Sequence, residues 1–201
     1  MFEIISSGGI VIWPIILCSI IVMAIIGERF WALRKDVIIP KSLVAEVWKW
    51  MDEGRLDNQR LVFLRNHSLL GYILASGLVH RNRSLMKSSM EDAGRQVSAK
   101  LEKHLNILGT IAEIAPLLGL LGTVSGMIKM FTAIGEVGLG NPLVLSNGIS
   151  EALITTAAGL IVAIPAFIFY RYFRARVDNL TLSMEQEAVR LIELLEAERR
   201  S

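Results

Sequence analysis

No charged side chain stands between Glu3 and Glu28, and the stretch from Ile10 to Ile26 is broken only by Pro14, Cys18 and Ser19. A helix of about 20 apolar residues crosses a bilayer core and satisfies its own backbone groups in lipid. The run therefore predicts a first transmembrane helix over 9–27. Two further runs follow. One covers 107–134, interrupted by Glu113 and Lys129; the other covers 143–170, where Glu151 is the only charge. They place a second span over 108–134 and a third over 148–170. The composition agrees: 53% of the 201 residues are apolar, above the roughly 45–50% of soluble domains. The expected fold class is all-α, an integral membrane protein whose second and third helices extend into a cytoplasmic helical bundle. A cleavable leader would carry basic residues before its apolar run. Here none precedes Arg29, while Arg29, Arg34 and Lys35 follow it, as in a retained helix.

Lysine and arginine set orientation, because they accumulate on the cytoplasmic side. Of the 21, fourteen lie in 29–107, six in 171–201, and none in 1–28 or 135–147; Lys129 is the remaining one. The expected arrangement has 1–8 and 135–147 in the periplasm, with 28–107 and 171–201 in the cytoplasm. Basic residues at cytoplasmic helix ends attract anionic phospholipid headgroups, which nominates Arg29, Arg34, Arg171 and Arg174. In the cytoplasmic part, Met86, Met90, Ala93, Val97, Leu101, Leu105 and Leu108 form one helical stripe that runs straight into the second span. Val177, Leu180, Met184, Ala188, Leu191 and Leu195 form another after the third.

The chain holds no phosphate loop, nucleophile turn or H-E-x-x-H pattern. Its one cysteine, Cys18, cannot form an internal disulfide, and His67, His80 and His104 have no metal-ligand spacing. Basic residues do not alternate with stacking aromatics as single-stranded nucleic acid requires. Neither an enzyme, a cofactor, a metal site nor a nucleic-acid partner is expected.

The informative chemistry lies inside the spans. Ala115/Gly119 and Gly122/Gly126 each lie on one face of the second; Thr155, Gly159 and Ala163 share a stripe of the third. Small faces let helix backbones approach, either within one subunit or between copies, and a homo-oligomer is expected. Pro116 and Pro165 each remove a backbone donor and can bend a helix. Glu151 costs about 2.5–3.5 kcal/mol to insert near a bilayer centre, so it should face a pore or a helix interface, where a carboxyl can bind and release a proton. Thr155, one turn on, shares its face; Thr123 offers another hydroxyl. Lys129 is expected to snorkel to the outer surface, and Glu113 to sit at the inner boundary.

Ala115-Pro116-Leu-Leu-Gly119-Leu-Leu-Gly122-Thr123-Val124, with Gly126-Met-Ile, resembles the second-span motif of the ExbB/TolQ branch of the MotA/TolQ/ExbB proton-channel family. Gly148-Ile-Ser-Glu151-Ala-Leu-Ile-Thr-Thr156-Ala-Ala-Gly159-Leu, with Ala163-Ile-Pro165-Ala, resembles its third-span motif. The resemblance implies a pentamer around a pore that holds a dimer of a single-span ExbD-like or TolR-like partner. It also implies coupling to a TonB-like or TolA-like protein at the inner membrane of a Gram-negative cell. By motif position, Glu151, Thr123 and Thr156 match the pore-lining polar residues, whereas Thr155 departs from the usual small apolar residue. Both threonines stay candidates. The readings carried forward are an ExbB-like motor subunit for TonB-dependent outer-membrane transport, a TolQ-like subunit of the Tol-Pal system, and a non-conducting membrane scaffold. The MotA branch, with four spans, fits less well.

The orientation has a direct test. In a background lacking Cys18, a membrane-impermeant thiol reagent applied to intact cells should label a cysteine placed in 135–147 and leave cysteines at Ser84 and Ser201 untouched. Labelling of the latter two would reverse the topology.

Overall fold

In the computed structural model, residues 9–53, 55–80, 82–137 and 142–200 are described. Among them the chain is helical with no strand. In order, the helices are α1 (Ile12–Ala32), α2 (Lys35–Ile38), α3 (Leu43–Asp52), α4 (Asn58–His67), α5 (Leu69–Leu78), α6 (Arg83–Glu102), α7 (Leu105–Val137) and α8 (Pro142–Arg200). Three helices are long and apolar enough to cross a membrane. The chain divides into two units, Met1–Glu28 with His104–Tyr172, and Arg29–Lys103 with Phe173–Ser201.

The first unit is built around the α7–α8 contact. Ala115, Gly119, Gly122 and Gly126 are buried on α7; Gly148, Ala152, Thr155 and Gly159 are buried on α8. The absence of side chains is what lets these faces meet. A Cβ on Gly159 would lie 2.6 Å from the Ala115 carbonyl oxygen, and one on Gly126 would lie 2.8 Å from that of Gly148. One on Gly119 would lie 3.1 Å from the Thr155 carbonyl oxygen, and one on Gly122 would overlap the Thr155 side chain. So these glycines close a contact between two helices of one chain. Both helices continue through their prolines, Pro116 and Pro165. The opposite faces, with Leu117, Leu121 and Ile128 on α7 and Leu153, Ile161 and Ile164 on α8, stay uncovered. Those faces, rather than the glycines, call for lipid or further copies.

In the second unit, three short helices begin on side-chain caps. Asp57 accepts from the Arg60 amide, Ser68 from Gly71 and Asn82 from Ser84, each satisfying an otherwise orphaned donor. Every member of the α6 stripe through Leu101, and every member of the 177–195 stripe, is buried. Arg174 pairs with Glu102 at 3.0 Å, and Arg83 pairs with Glu196.

Three features differ from the sequence reading. The stripe leading into the second span is interrupted, because α6 ends at Glu102 and α7 starts at Leu105. At that break the Leu101 carbonyl, which an unbroken helix would offer to the Leu105 amide, accepts from Arg29 Nη1 at 2.8 Å. Arg29 itself is only 5% exposed, so its guanidinium is turned into the fold rather than toward headgroups. Lastly, α7 runs to Val137 and α8 starts at Pro142, past the limits of 134 and 148 set by hydropathy.

Gly159→Ala should therefore destabilise the protein by about 1–3 kcal/mol, the cost of overpacking a tight contact. Gly27→Ala, with nothing within 4 Å of the added methyl, should be neutral or stabilising by up to about 1 kcal/mol. Thermal unfolding in detergent, read by circular dichroism, separates the two. Equal melting temperatures would mean that the α7–α8 contact can relax.

Candidate proton site

Glu151 sits one turn before Thr155 on the α8 face that packs on α7. Its carboxylate oxygen Oε1 accepts from Lys129 Nζ at 2.6 Å. The two partners are unequally exposed, at 15% for the Glu151 side chain and 54% for Lys129. Lys129 does not simply snorkel, then; its ammonium is the counter-charge of a partly buried carboxylate. Gly9, at φ 61°, closes a third side. A Cβ there would overlap Glu151 Oε1 and approach Lys129 Nζ to 3.2 Å, and the left-handed backbone also favours glycine.

The three candidate hydroxyls are all engaged as donors. Thr155 is fully buried, and its Oγ1 donates to the carbonyls of Glu151 and Ala152 at 2.9 and 3.0 Å. Thr156 Oγ1 donates across to the Gly119 carbonyl on α7 at 3.2 Å, and Thr123 Oγ1 donates to Leu120 at 2.5 Å. A hydroxyl has one proton to give and two lone pairs to receive with. As placed, Thr123 and Thr156 can accept from water, and each must rotate before it can donate, whereas the fully buried Thr155 is closed to water. Thr155 seats the packing against Gly122, whereas Thr123 and Thr156 are half-buried. At about 1.5 Å per residue, Glu151 lies about 7.5 Å along the axis from Thr156. Glu113 is exposed and outside this cluster. Among the described residues no group of His, Cys, Asp or Glu could hold a metal ion.

The sequence reading missed the Lys129–Glu151 pair, although a signal was there. Two consecutive spans joined by a short loop run antiparallel, so residues equally distant from the loop's middle face one another. Lys129 and Glu151 are nearly so, and each is the charge deepest in its outer half-span. Of the four arginines expected near headgroups, Arg34 and Arg171 are exposed, Arg29 is buried, and Arg174 is paired with Glu102.

The pair predicts a coupling energy. Removing the Lys129 charge leaves a carboxylate that is 15% exposed without its counter-ion, while removing the Glu151 charge leaves a lysine that is 54% exposed, so the Lys129 loss costs more when Glu151 is present than when it is absent. A double-mutant cycle of Lys129→Met and Glu151→Gln should give about 0.5–3 kcal/mol of coupling in thermal stability. Additive single effects would show that the two groups do not interact.

A family model described as the MotA/TolQ/ExbB proton channel family matches residues 65–186. The ExbB-like protein 1 of Synechocystis sp. is 34% identical over 170 residues, covering 82% of this chain and 67% of that protein. The biopolymer transport protein exbB1 of Vibrio cholerae is 31% identical over 166 residues, covering 79% and 72%. The Tol-Pal system protein TolQ of Pseudomonas aeruginosa is 43% identical over 81 residues, covering 40% and 35%.

Proposed function

Because the chain belongs to the MotA/TolQ/ExbB proton channel family, we propose that it is an ExbB-type subunit of an inner-membrane motor that couples the proton-motive force to TonB-dependent outer-membrane transport. The observation that carries this reading is the Glu151–Lys129 pair, a carboxylate held at 2.6 Å from its counter-ion within two apolar helices. A scaffold gains nothing from a charge that costs several kcal/mol to insert. The ExbB-type reading rests on the two relatives named for ExbB that align over 82% and 79% of the chain.

In this reading the N-terminus and the 135–147 loop are periplasmic, five copies surround a pore, and a single-span ExbD-like dimer occupies it. A proton crossing the membrane field releases about 2.3 kcal/mol per 100 mV. Glu151 is the group that takes it up. Protonation cancels the charge that holds Lys129, so loading the site and opening the pair are one event. Thr123 and Thr156 orient water beside the carboxyl, and Thr155 holds the α7–α8 packing that positions it.

Glu151→Gln retains size and much of the hydrogen bonding but cannot titrate. Assembly should survive while energised transport is abolished. Glu151→Asp should leave partial function, and Thr123→Ala and Thr156→Ala should weaken transport less than Glu151→Gln. Uptake assays with blue-native gels of the same membranes provide the check. Wild-type uptake in Glu151→Gln would move the proton site elsewhere, and loss of the complex would make Glu151 a structural residue.

A further inference from the structure

Two clefts of similar size open in the Arg29–Lys103 and Phe173–Ser201 unit, and their charges are handled in opposite ways. One, of about 630 Å³, is lined by Lys87 and Arg95 together with Glu91 and Glu185. Its cations are already answered, since Lys87 lies 3.8 Å from Glu91 and Arg95 lies 2.9 Å from Asp92. The other, of about 610 Å³, is lined by Arg65, His67 and Lys100, and no Asp or Glu lines it. None of these three forms an ion pair among the described residues.

The second cleft is also ordered around its donors. The Arg65 guanidinium lies over the Tyr72 ring, 5.4 Å from its centroid. The His67 ring stacks on Phe63 at 5.1 Å. Tyr72 Oη donates to Gln96 Oε1 at 3.0 Å, which leaves the Gln96 amide nitrogen as a donor to the cleft. Lys100 follows Gln96 by one turn of α6, on the same face. Ser68 and Leu69 bring in the N-terminal end of α5, the positive end of its dipole. Beside Asn66, the remaining wall is apolar and includes Ala32, the last residue of α1, with Val37 and Ile38 of α2.

We infer that this cleft binds a phosphate group, and that the apolar wall where the first membrane-crossing helix ends makes its bearer an anionic phospholipid. A planar guanidinium and an ammonium suit phosphate oxygens. An acyl chain would lie along Ala32 and Val37. The site is separate from the helix-end arginines named above and does not depend on Glu151.

Native mass spectrometry of the full chain in detergent tests it with three probes: phosphatidylglycerol, phosphatidylcholine and glycerol 3-phosphate. Arg65→Gln with Lys100→Gln should weaken phosphatidylglycerol binding about tenfold or more, since each basic group near an anionic headgroup contributes measurably. Lys87→Gln with Arg95→Gln makes the same charge change in the neutralised cleft and should change it less than about twofold. Phosphatidylcholine, which has no net charge, should bind weakly and respond to neither. If glycerol 3-phosphate alone binds with the same dependence on Arg65 and Lys100 while phosphatidylglycerol does not, the ligand is a soluble phosphate ester and the lipid assignment falls. Equal losses from both double variants, or no loss from either, would overturn the site altogether. Should the first double variant fail to fold, Lys100→Gln alone decides the matter. Lys100 is exposed, and an unchanged affinity in that variant would equally overturn the proposal.

Discussion

Contact between bare backbone surfaces on α7 and α8 is the condition on which the Met1–Glu28 and His104–Tyr172 unit depends. Between helices in lipid there is little hydrophobic drive to associate, because acyl chains are as apolar as leucine. Attraction must come from short-range packing, and that requires surfaces without protruding side chains. With Gly119, Gly122 and Gly126 facing Gly148, Ala152 and Gly159, carbonyl oxygens of one helix reach the atoms of the other. Thr156 can then donate across to the Gly119 carbonyl. The same closeness brings the Lys129 ammonium to the Glu151 carboxylate. A methyl group in the seam would move charge and counter-charge apart as surely as it would cost packing.

Much of this was legible in the residues. Unbroken apolar runs identify the membrane helices because the requirement for internal hydrogen bonding is strict and local. The spacing of Met86, Met90, Ala93 and Val97 shows a buried stripe because an α-helix repeats it. Helix ends were harder. Hydropathy marks where a membrane could lie, whereas a helix stops where its backbone bonding stops, so α7 and α8 run beyond the apolar limits. At the interruption between Glu102 and Leu105 the Leu101 carbonyl is met by a guanidinium some seventy residues earlier in the chain, and no local signal announces it. Glu151 stands out by its insertion cost and by its place in the third-span motif. Its partner was harder to see, because a lysine near a span's end has a ready explanation in snorkelling.

The two threonines left open by the sequence now differ in kind. Thr155 is fully buried and packs on Gly122, so it fixes the register in which Glu151 is presented. Thr156 is half-buried, and its hydroxyl ties α8 to α7. Periodicity places residues on faces, but it cannot say which of two adjacent hydroxyls the opposing helix will cover.

The commitment of hydroxyl protons to helix carbonyls has an electrostatic consequence. With Thr123 donating to Leu120 and Thr156 to Gly119, the oxygens present lone pairs outward and keep their hydrogens inward. What each oxygen offers its surroundings is negative partial charge, and neither hydroxyl can donate elsewhere until its bond to the carbonyl is broken.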